Sequence, residues 1–307
     1  SGAPESSRLT EYLVGSSAGL TLTWDRFSLG LSPRYTYRAG GEDGAYDLHR
    51  FQLTGTAGLQ LGPGGRLDAG AGWHYSGSSG HLFPFDLSLL FYPNDLFSIN
   101  ASLGYRVLEH NLWDVMSDYR FAMIPGELRD DHGWFLELGS HANLARSWVL
   151  SGGFTLMEHR DLLNPGDTQD QDTGLYPLEY DRMLQLSAQA GVRWNAAGNL
   201  SVFAGLESEL LDLPRYLPRH QVNLEASWKT RTERAGGTLS AGFEAVDDRD
   251  VQAPVVSLEG FFKVTDAITA SASLEDLLYP ALDRPRYSWY PFVTPGLRFT
   301  FKTHITF

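Results

Sequence analysis

Hydrophobic and polar residues alternate along most of this chain with a period of two. The final stretch, residues 297–307, shows the pattern most simply. Because successive side chains of a β-strand point to opposite faces, the stretch predicts a strand with one apolar face and one polar, basic face. The apolar positions are Leu297, Phe299, Phe301, Thr303, Ile305 and Phe307, and the polar positions between them are Arg298, Thr300, Lys302, His304 and Thr306.

The same alternation recurs in about fifteen segments, of which the first runs from Tyr12 to Trp24. Each segment is close to the ~9–11 residues that a tilted strand needs to cross a bilayer. We therefore predict an all-β fold, namely a transmembrane antiparallel up-and-down β-barrel of about 14–16 strands. In this prediction residues 1–11 form an N-terminal extension and residues 12–307 form the barrel.

Short turns alternate with long connections, and the long ones are His110 to Asp131, Arg160 to Tyr180, and Leu282 to Tyr290. This alternation is typical of a barrel with one periplasmic and one extracellular rim. Aromatic residues of the apolar face gather near both ends, as interfacial rings do. They are Trp24, Phe91, Phe97, Trp148, Trp194, Trp228 and Phe307 near the short turns, and Tyr37, Tyr75, Tyr105 and Trp134 near the long connections.

The strand count raises a question of parity, because single-chain bacterial barrels have an even number of strands. Either one more strand is present, with Ser7 to Val14 and Met116 to Ile124 as candidates, or sequence upstream of Ser1 is absent. A large soluble β-sandwich or propeller is the alternative fold. It does not explain why one face stays aliphatic through every hairpin while the other is rich in Ser, Thr, Gln and charged residues.

Composition is consistent with a barrel and excludes several other classes of protein. The mean hydropathy of -0.24 resembles that of a soluble protein, but only alternate residues of a barrel strand meet lipid. The absence of cysteine removes disulfides and thiolate sites. A net charge of -13 argues against nucleic acid as a partner. Ser1-Gly2-Ala3-Pro4 does not begin a signal peptide, so we interpret the chain as a mature form or an excised domain.

Charged residues on the polar faces are grouped by strand. In a closed barrel they would form an acidic wall and a basic arc, and charged walls bias which ions pass through a pore. The alternative is that each charge is merely solvated. The predicted pore-lining acids are Glu207, Glu209, Glu225, Glu244, Glu259 and Glu275, and the predicted pore-lining bases are Arg34, Arg38, Arg50, Arg298 and Lys302.

The first long connection is the best candidate for a segment that narrows the lumen. It carries Trp113, Tyr119, Arg120 and Phe121, whose side chains could pack inside the barrel. A barrel of this size has an aqueous lumen unless something fills it. The alternative is that both long connections simply cover the outer rim.

The second long connection carries Asp167, Asp170 and Asp172 ahead of Gly174. Alternate carboxylates at a glycine turn can hold Ca²⁺, but the spacing misses the EF-hand pattern and a solvated acidic loop is the alternative. We predict no cofactor.

No catalytic residues are predicted either. His141 and Asn143 share the polar face, but the chain contains no Gly-x-Ser-x-Gly nucleophile motif. We therefore expect that the protein is not an enzyme.

Two features of the tail resemble known families. The terminal amphipathic strand ending at Phe307 resembles the closing strand of Gram-negative outer-membrane β-barrels, whose end is read by the barrel assembly machinery. The run from Ala272 to Leu278, followed by Tyr290, Pro295-Gly296 and the final strand, is similar to the end of TonB-dependent receptors, although the chain is too short for a full 22-stranded receptor. The length and the acidic lumen also resemble the barrel of an exopolysaccharide exporter.

These resemblances imply a location in the bacterial outer membrane and a role in transport. We expect a porin-like channel that passes small hydrophilic solutes or ions, with cations favoured. The alternative is the C-terminal barrel of a larger transporter, either receptor-like or an exporter. The implied partners are outer-membrane lipid, lipopolysaccharide, the barrel assembly machinery, a small-molecule or polymer cargo, and a possible periplasmic partner or upstream domain.

Overall fold

The structure is a computed structural model, and it describes most of the chain. The described residues are 11–40, 46–111, 115, 122–123, 127–145, 147–166, 168, 170–171, 174–196, 199–211, 218–245, 252–265, 267–281, 287–289, 292–293 and 296–305.

Almost all of the regular structure is β-strand. The first ten strands are β1 (Glu11–Ser17), β2 (Leu20–Trp24), β3 (Phe27–Gly40), β4 (Tyr46–Gln60), β5 (Gly65–Ser76), β6 (Gly80–Leu82), β7 (Phe85–Asn94), β8 (Phe97–Leu108), β9 (Ala122–Met123) and β10 (Asp131–Ala145). The second ten are β11 (Trp148–Pro165), β12 (Tyr176–Ala196), β13 (Leu200–Glu209), β14 (His220–Lys229), β15 (Ala235–Ala245), β16 (Val255–Lys263), β17 (Ile268–Glu275), β18 (Tyr287–Trp289), β19 (Phe292–Val293) and β20 (Arg298–Ile305). A single turn of 3₁₀ helix covers Tyr279–Ala281.

Strands that follow one another in the chain pair antiparallel, as in an up-and-down meander. The β3–β4 ladder, for example, runs from Phe27 opposite Leu59 to Gly40 opposite Tyr46. Both β1 and β2 pair with β3, and both β6 and β7 pair with β5, so each pair is one interrupted strand. Setting aside the short β9, β18 and β19 leaves fifteen long strands in the described part of the chain. The predicted all-β antiparallel fold is confirmed.

Over the residues that the structure describes, the sheet is not closed. Of the two candidate extra strands, Ser7 to Val14 is described only from residue 11, where β1 begins. Met116 to Ile124 contributes only β9, a two-residue parallel contact with the start of β12, and its other residues lie outside the described part.

The second long connection is shorter than predicted, because its flanking strands extend into it. β11 continues beyond Arg160 to Pro165, and β12 already begins at Tyr176 rather than near Tyr180. Leu163 and Leu178 are buried in these extensions. The period-two signal disappears at the end of β11 because Leu163, Asn164 and Pro165 are buried in succession, so both faces of the strand are covered there.

The apolar face is exposed along nearly every long strand. Leu29 is 49% exposed, Leu103 46%, Leu239 45% and Phe299 65%. The short turns predicted from the sequence also occur, at Asp25-Arg26 and Gly62 to Gly64 among others. At short-turn ends, Trp148 and Trp194 stack with ring centroids 6.0 Å apart. The part of the chain that the structure describes contains no helix long and apolar enough to cross a membrane.

The chain divides into two compact units. The first comprises Ser1–Pro93, Ile99–Leu138 and Thr155–Gln185, and the second comprises Asn94–Ser98, Gly139–Phe154 and Leu186–Phe307. The buried apolar side chains of the described residues all belong to the first unit. They are Leu48, Val115, Leu128, Phe135, Met157, Leu163 and Leu178.

A close approach between β10 and β11 provides a test of this packing. A Cβ atom at Gly133 would overlap the carbonyl oxygen of Glu158, whereas one at Gly55 would lie 3.7 Å from the nearest atom, the carbonyl oxygen of Ala71. We expect Gly133→Ala to lower the free energy of unfolding by about 1–3 kcal/mol, as overpacking does. Gly55→Ala should leave it nearly unchanged. Urea titration in lipid vesicles measures both, and equal effects would contradict the close approach.

Candidate functional site

The second unit presents the predicted acidic face. Glu207 lies opposite Gln221, and Gln221 lies opposite Glu244, across three neighbouring strands. Glu259 lies between Thr238 and Ser273. In these ladders no glutamate is directly opposite another, which avoids the destabilising pairing of like charges. Register and alternation place all six predicted acids on one face, which they share with the even-numbered residues of β20.

These acids differ in exposure and in contacts. Glu207 and Glu259 are exposed, and Glu209, Glu225, Glu244 and Glu275 are half-buried. The Ser227 hydroxyl donates a hydrogen bond to Glu225 (2.9 Å). Arg298 forms an ion pair with Glu275 (3.3 Å), and Lys302 lies opposite Ser271. The six acids lie on one face, as the prediction requires. That they line a pore stays a prediction.

The predicted bases of the first unit lie on the polar face of β3 and β4. Arg34 is opposite Gln52, and Arg50 is opposite Thr36. Arg38, half-buried, is opposite Leu48. Arg34 Nη1 lies 3.6 Å from Glu109 Oε1, at the start of the first long connection. Part of the predicted basic arc therefore lies next to an acidic residue at the start of the first long connection.

Arg50 is the centre of a buried ionic cluster. The side chains of Arg50, His74 and Asp130 are exposed by only 2%, 1% and 0%. Arg50 donates to both carboxylate oxygens of Asp130, at 3.2 Å from Nε to Oδ2 and through Nη2 to Oδ1, and Nη2 also donates to the carbonyl oxygen of His110. His74 Nε2 lies 2.8 Å from Asp130 Oδ2. A buried charge is tolerated only with such partners.

The backbone around Asp130 is attached to the end of β5. The Asp130 amide donates to Ser79 Oγ (2.7 Å), and the Ser78 hydroxyl donates to the carbonyl oxygen of Leu128 (2.5 Å). Leu128 itself is 1% exposed. The end of the first long connection therefore packs on the polar face of the first unit.

The next residue, Asp131, makes a second set of contacts on the other side. His159 Nδ1 lies 2.5 Å from Asp131 Oδ2, and the backbone amides of Arg160 and Asp161 donate to Oδ1 at 3.1 and 3.2 Å. His159 Nε2 lies 3.0 Å from Gln185 Oε1. Consecutive residues of an extended chain point in opposite directions. Asp130 and Asp131 can therefore fasten the start of β10 to β4 and β5 on one side and to β11 and β12 on the other.

Sequence reasoning placed Arg50 on a polar face but did not single out His74 or either aspartate. The sequence did offer one indication of this site. Two adjacent acids, Asp130 and Asp131, stand at the end of a connection in which apolar and polar residues do not alternate. The predicted constriction residues Trp113, Tyr119, Arg120 and Phe121 lie outside the described residues, as does the predicted assembly signal Phe307. Val115, from the same connection, is 3% exposed.

The predicted calcium site is described only in part. Asp170 and Gly174 form a turn in which the Gly174 amide donates to the Asp170 carbonyl oxygen (2.8 Å), with Gly174 at φ +70. Asp167 and Asp172 lie outside the described residues, so the site stays a prediction. Within the described ranges no group of three or more His, Asp or Glu side chains is arranged to hold a metal ion.

The environment of Asp130 shifts its pKa. Burial raises the pKa of this carboxyl group, but the hydrogen bond from His74 and the charge and hydrogen bond of Arg50 together outweigh burial. The pKa of Asp130 therefore lies below its usual value. The ionised form is favoured in the folded state.

Replacing Asp130 tests whether the cluster holds the connection in place. Asp130→Asn leaves the buried Arg50 without its carboxylate, so we expect the free energy of unfolding to fall by about 3–5 kcal/mol. The matched control is Asp68→Asn, which removes an exposed ion pair with Arg66 (2.7 Å) and should change little. Denaturant titration in vesicles compares them. Equal small effects would contradict the importance of the cluster.

The same aspartate predicts a dependence on pH. Because its folded pKa lies below the unfolded value of about 3.9, its contribution is fully present above that value and is lost as the pH falls through the folded pKa. The difference in unfolding free energy between the native chain and Asp130→Asn should therefore be constant near neutral pH and shrink below about pH 4. A difference that grows on acidification would contradict this sign.

No protein-family model matches the sequence, and no curated protein matches it. Solved structures do match, at low sequence identity. A variant of the ferric enterobactin receptor PfeA from Pseudomonas aeruginosa superposes with a TM-score of 0.67 at 13% identity, over 97% of this chain and 54% of the receptor. The siderophore receptor PirA from Acinetobacter baumannii gives 0.66 at 9% identity over 97% and 55%. The copper transporter OprC gives 0.67 at 13% identity over 97% and 57%.

At these identities the comparison establishes the fold. The likeness to TonB-dependent outer-membrane receptors, indicated by the tail of the sequence, is confirmed at that level. The chain has the β-sheet fold of these receptor barrels and spans little more than half the length of the proteins it matches.

Proposed function

We propose that the chain is the membrane-embedded part of an outer-membrane transporter, with its apolar face in lipid and small hydrophilic cargo moving along its polar face. One observation carries the proposal. Large apolar side chains are exposed on one face of nearly every long strand, while the opposite face holds hydroxyl, amide and charged groups. This is the pattern of a strand between lipid and an aqueous path.

The magnitude of the exposed apolar surface favours lipid over water. Soluble monomers rarely expose contiguous apolar patches larger than a few hundred Å². Leaving one Leu or Phe in water instead of burying it costs about 1.5–3 kcal/mol. Here such residues recur from Leu20 on β2 to Phe301 on β20. A lipid environment removes this cost while the ladders satisfy the backbone.

The structural comparisons support transport rather than catalysis. The matched proteins are named as a ferric enterobactin receptor, a siderophore receptor and a copper transporter. We extend to this chain their general role of moving a small molecule or ion across the outer membrane.

The acidic face of the second unit suggests the class of cargo. Carboxylates that line an aqueous path attract cations and repel anions. Glu207, Glu225, Glu244 and Glu259 lie on successive strands of that face, and each has at least one hydroxyl or amide residue directly opposite it. We therefore propose that cations or cationic complexes are favoured over anions.

A second mode of transport has its own supporting observation. Leu128, Asp130 and Asp131 are buried against the polar face of the first unit. A segment packed in this way favours a transporter whose path opens only for its cargo, as opposed to a channel that conducts freely. Bilayer recordings without cargo distinguish the two modes, because only a free channel gives steady conductance.

Introducing a positive charge on each face in turn tests whether the apolar face is embedded in a membrane. Leu239 is flanked by Ala226 and Leu258 on the apolar face, and Ser240 is flanked by Glu225 and Ser257 on the polar face. Leu239→Arg should destabilise the folded chain in vesicles by about 2–4 kcal/mol. Ser240→Arg should change stability much less. Unfolding titrations decide, and equal effects of the two variants would contradict a lipid-facing Leu239.

Neutralising the acidic face tests the preference for cations. With Glu207, Glu225, Glu244 and Glu259 all changed to Gln, the reversal potential in a salt gradient should shift from the cation-selective value towards zero. If the chain does not conduct freely, binding of a cationic dye to the chain in vesicles replaces the recording and should weaken.

The control removes the same charge elsewhere, by changing Asp25 and Asp47 to Asn and Glu127 and Glu233 to Gln. These four residues lie at turns, connections or strand ends and are exposed. Selectivity should be retained in this control. A loss as large as in the Glu-to-Gln variant would show that overall charge, and not the acidic face, determines selectivity.

A further inference from the structure

A groove on the apolar face of the first unit has not been assigned a role. It has a volume of about 530 Å³, within the range of pockets that hold small ligands. Trp134 and Leu136 of β10, Leu156 of β11 and Leu184 of β12 supply its apolar lining, and Glu158 and Arg182 supply polar groups. Trp134 is 51% exposed and Leu184 45%. The groove therefore opens on the surface that the proposed function places in lipid.

Glu158 and two arginines, Arg160 and Arg182, are the charged groups beside the groove. Glu158 accepts hydrogen bonds from two guanidinium groups, that of Arg160 at 3.2 Å and that of Arg182 at 2.5 Å. One carboxylate thus serves two arginines. Each guanidinium has five N–H donors, so several donors of each remain for another acceptor. The Arg182 side chain is 73% exposed and the Glu158 side chain only 16%, so an incoming anion meets arginine first.

Neighbouring aromatic residues indicate the depth of this end of the groove in a membrane. The rings of Tyr105 and Trp134 meet edge to face with centroids 5.9 Å apart. The Tyr105 hydroxyl lies 2.7 Å from His132 Nδ1, and the Arg160 guanidinium lies 5.9 Å from the centre of the Tyr105 ring. Tyr and Trp with an apolar body and a hydrogen-bonded tip collect at the level of lipid headgroups. The arginines are therefore at the level where a lipid carries its phosphate.

We propose that this groove binds a lipid with a phosphate headgroup, its acyl chain lying along Trp134, Leu136, Leu156 and Leu184 and its phosphate contacting Arg160 and Arg182. Guanidinium groups match phosphate oxygens in geometry and charge. The site rests on the proposed membrane embedding. It supplies a specific location for the lipid and lipopolysaccharide contacts expected from the sequence, because a phosphorylated glycolipid belongs to this chemical class.

Native mass spectrometry of the folded full-length chain in neutral detergent tests the site. The probes are a short-chain phosphatidic acid and a diacylglycerol of the same chains, which lacks the phosphate. We expect the chain to retain phosphatidic acid preferentially, and the double variant Arg160→Gln/Arg182→Gln to bind it at least about tenfold more weakly. The matched control is Arg231→Gln/Arg234→Gln, two exposed arginines at the turn between β14 and β15, which should bind as the native chain does.

A second variant separates the acyl chain from the phosphate. Leu156→Trp fills the groove without removing charge, so it should lower the retention of both lipids. Equal retention of the two lipids by the native chain, or unchanged retention of phosphatidic acid by the Arg160→Gln/Arg182→Gln variant, would overturn the site while leaving membrane embedding intact. A chain that stays soluble without detergent and shows no heat-modifiable gel shift would overturn the proposed function and the site together.

Discussion

The hydrogen bonding of the backbone in an apolar solvent is the constraint on which the rest of this structure depends. Lipid offers no partner for a backbone N–H or C=O group, so each strand must satisfy these groups on its neighbours. The long registered ladders, such as the one that joins Phe27–Gly40 to Tyr46–Gln60, meet that demand. Only alternate residues then remain free to suit lipid. This explains how a chain with a mean hydropathy of -0.24 can present an apolar face on almost every strand.

At the start of β10, buried ion pairs and hydrogen bonds hold neighbouring segments of the chain together. In the first unit Asp130 and Asp131 are fully buried, and each is matched by a histidine together with an arginine or two backbone amides. Buried ion pairs add little net stability, but removing one partner is costly. Such a pair therefore mainly fixes the geometry of the two chain segments that it joins. It fixes the start of β10 and, with it, the end of the first long connection.

The polar face thus has two characters, one in each unit. In the first unit it is filled by Leu48, Leu128 and the Arg50 cluster, and in the second it presents half-buried or exposed glutamates separated by hydroxyl and amide groups. On the apolar face of the first unit, Arg160 and Arg182 both donate hydrogen bonds to Glu158, and the rings of Tyr105 and Trp134 meet edge to face.

The sequence by itself determined the strands, their apolar and polar faces, most turns, and the grouping of the six glutamates on one face, because all of these follow from local alternation and short-range ladders. Only the tertiary structure decided that Asp130 would meet Arg50, since these two residues are separated by 80 positions in the chain. It also decided that β11 and β12 extend to Pro165 and back to Tyr176, where the sequence carries no period-two signal. The physical reason is the same in both cases. Lipid imposes a pattern that can be recognised along the chain, whereas contacts between distant polar groups impose none.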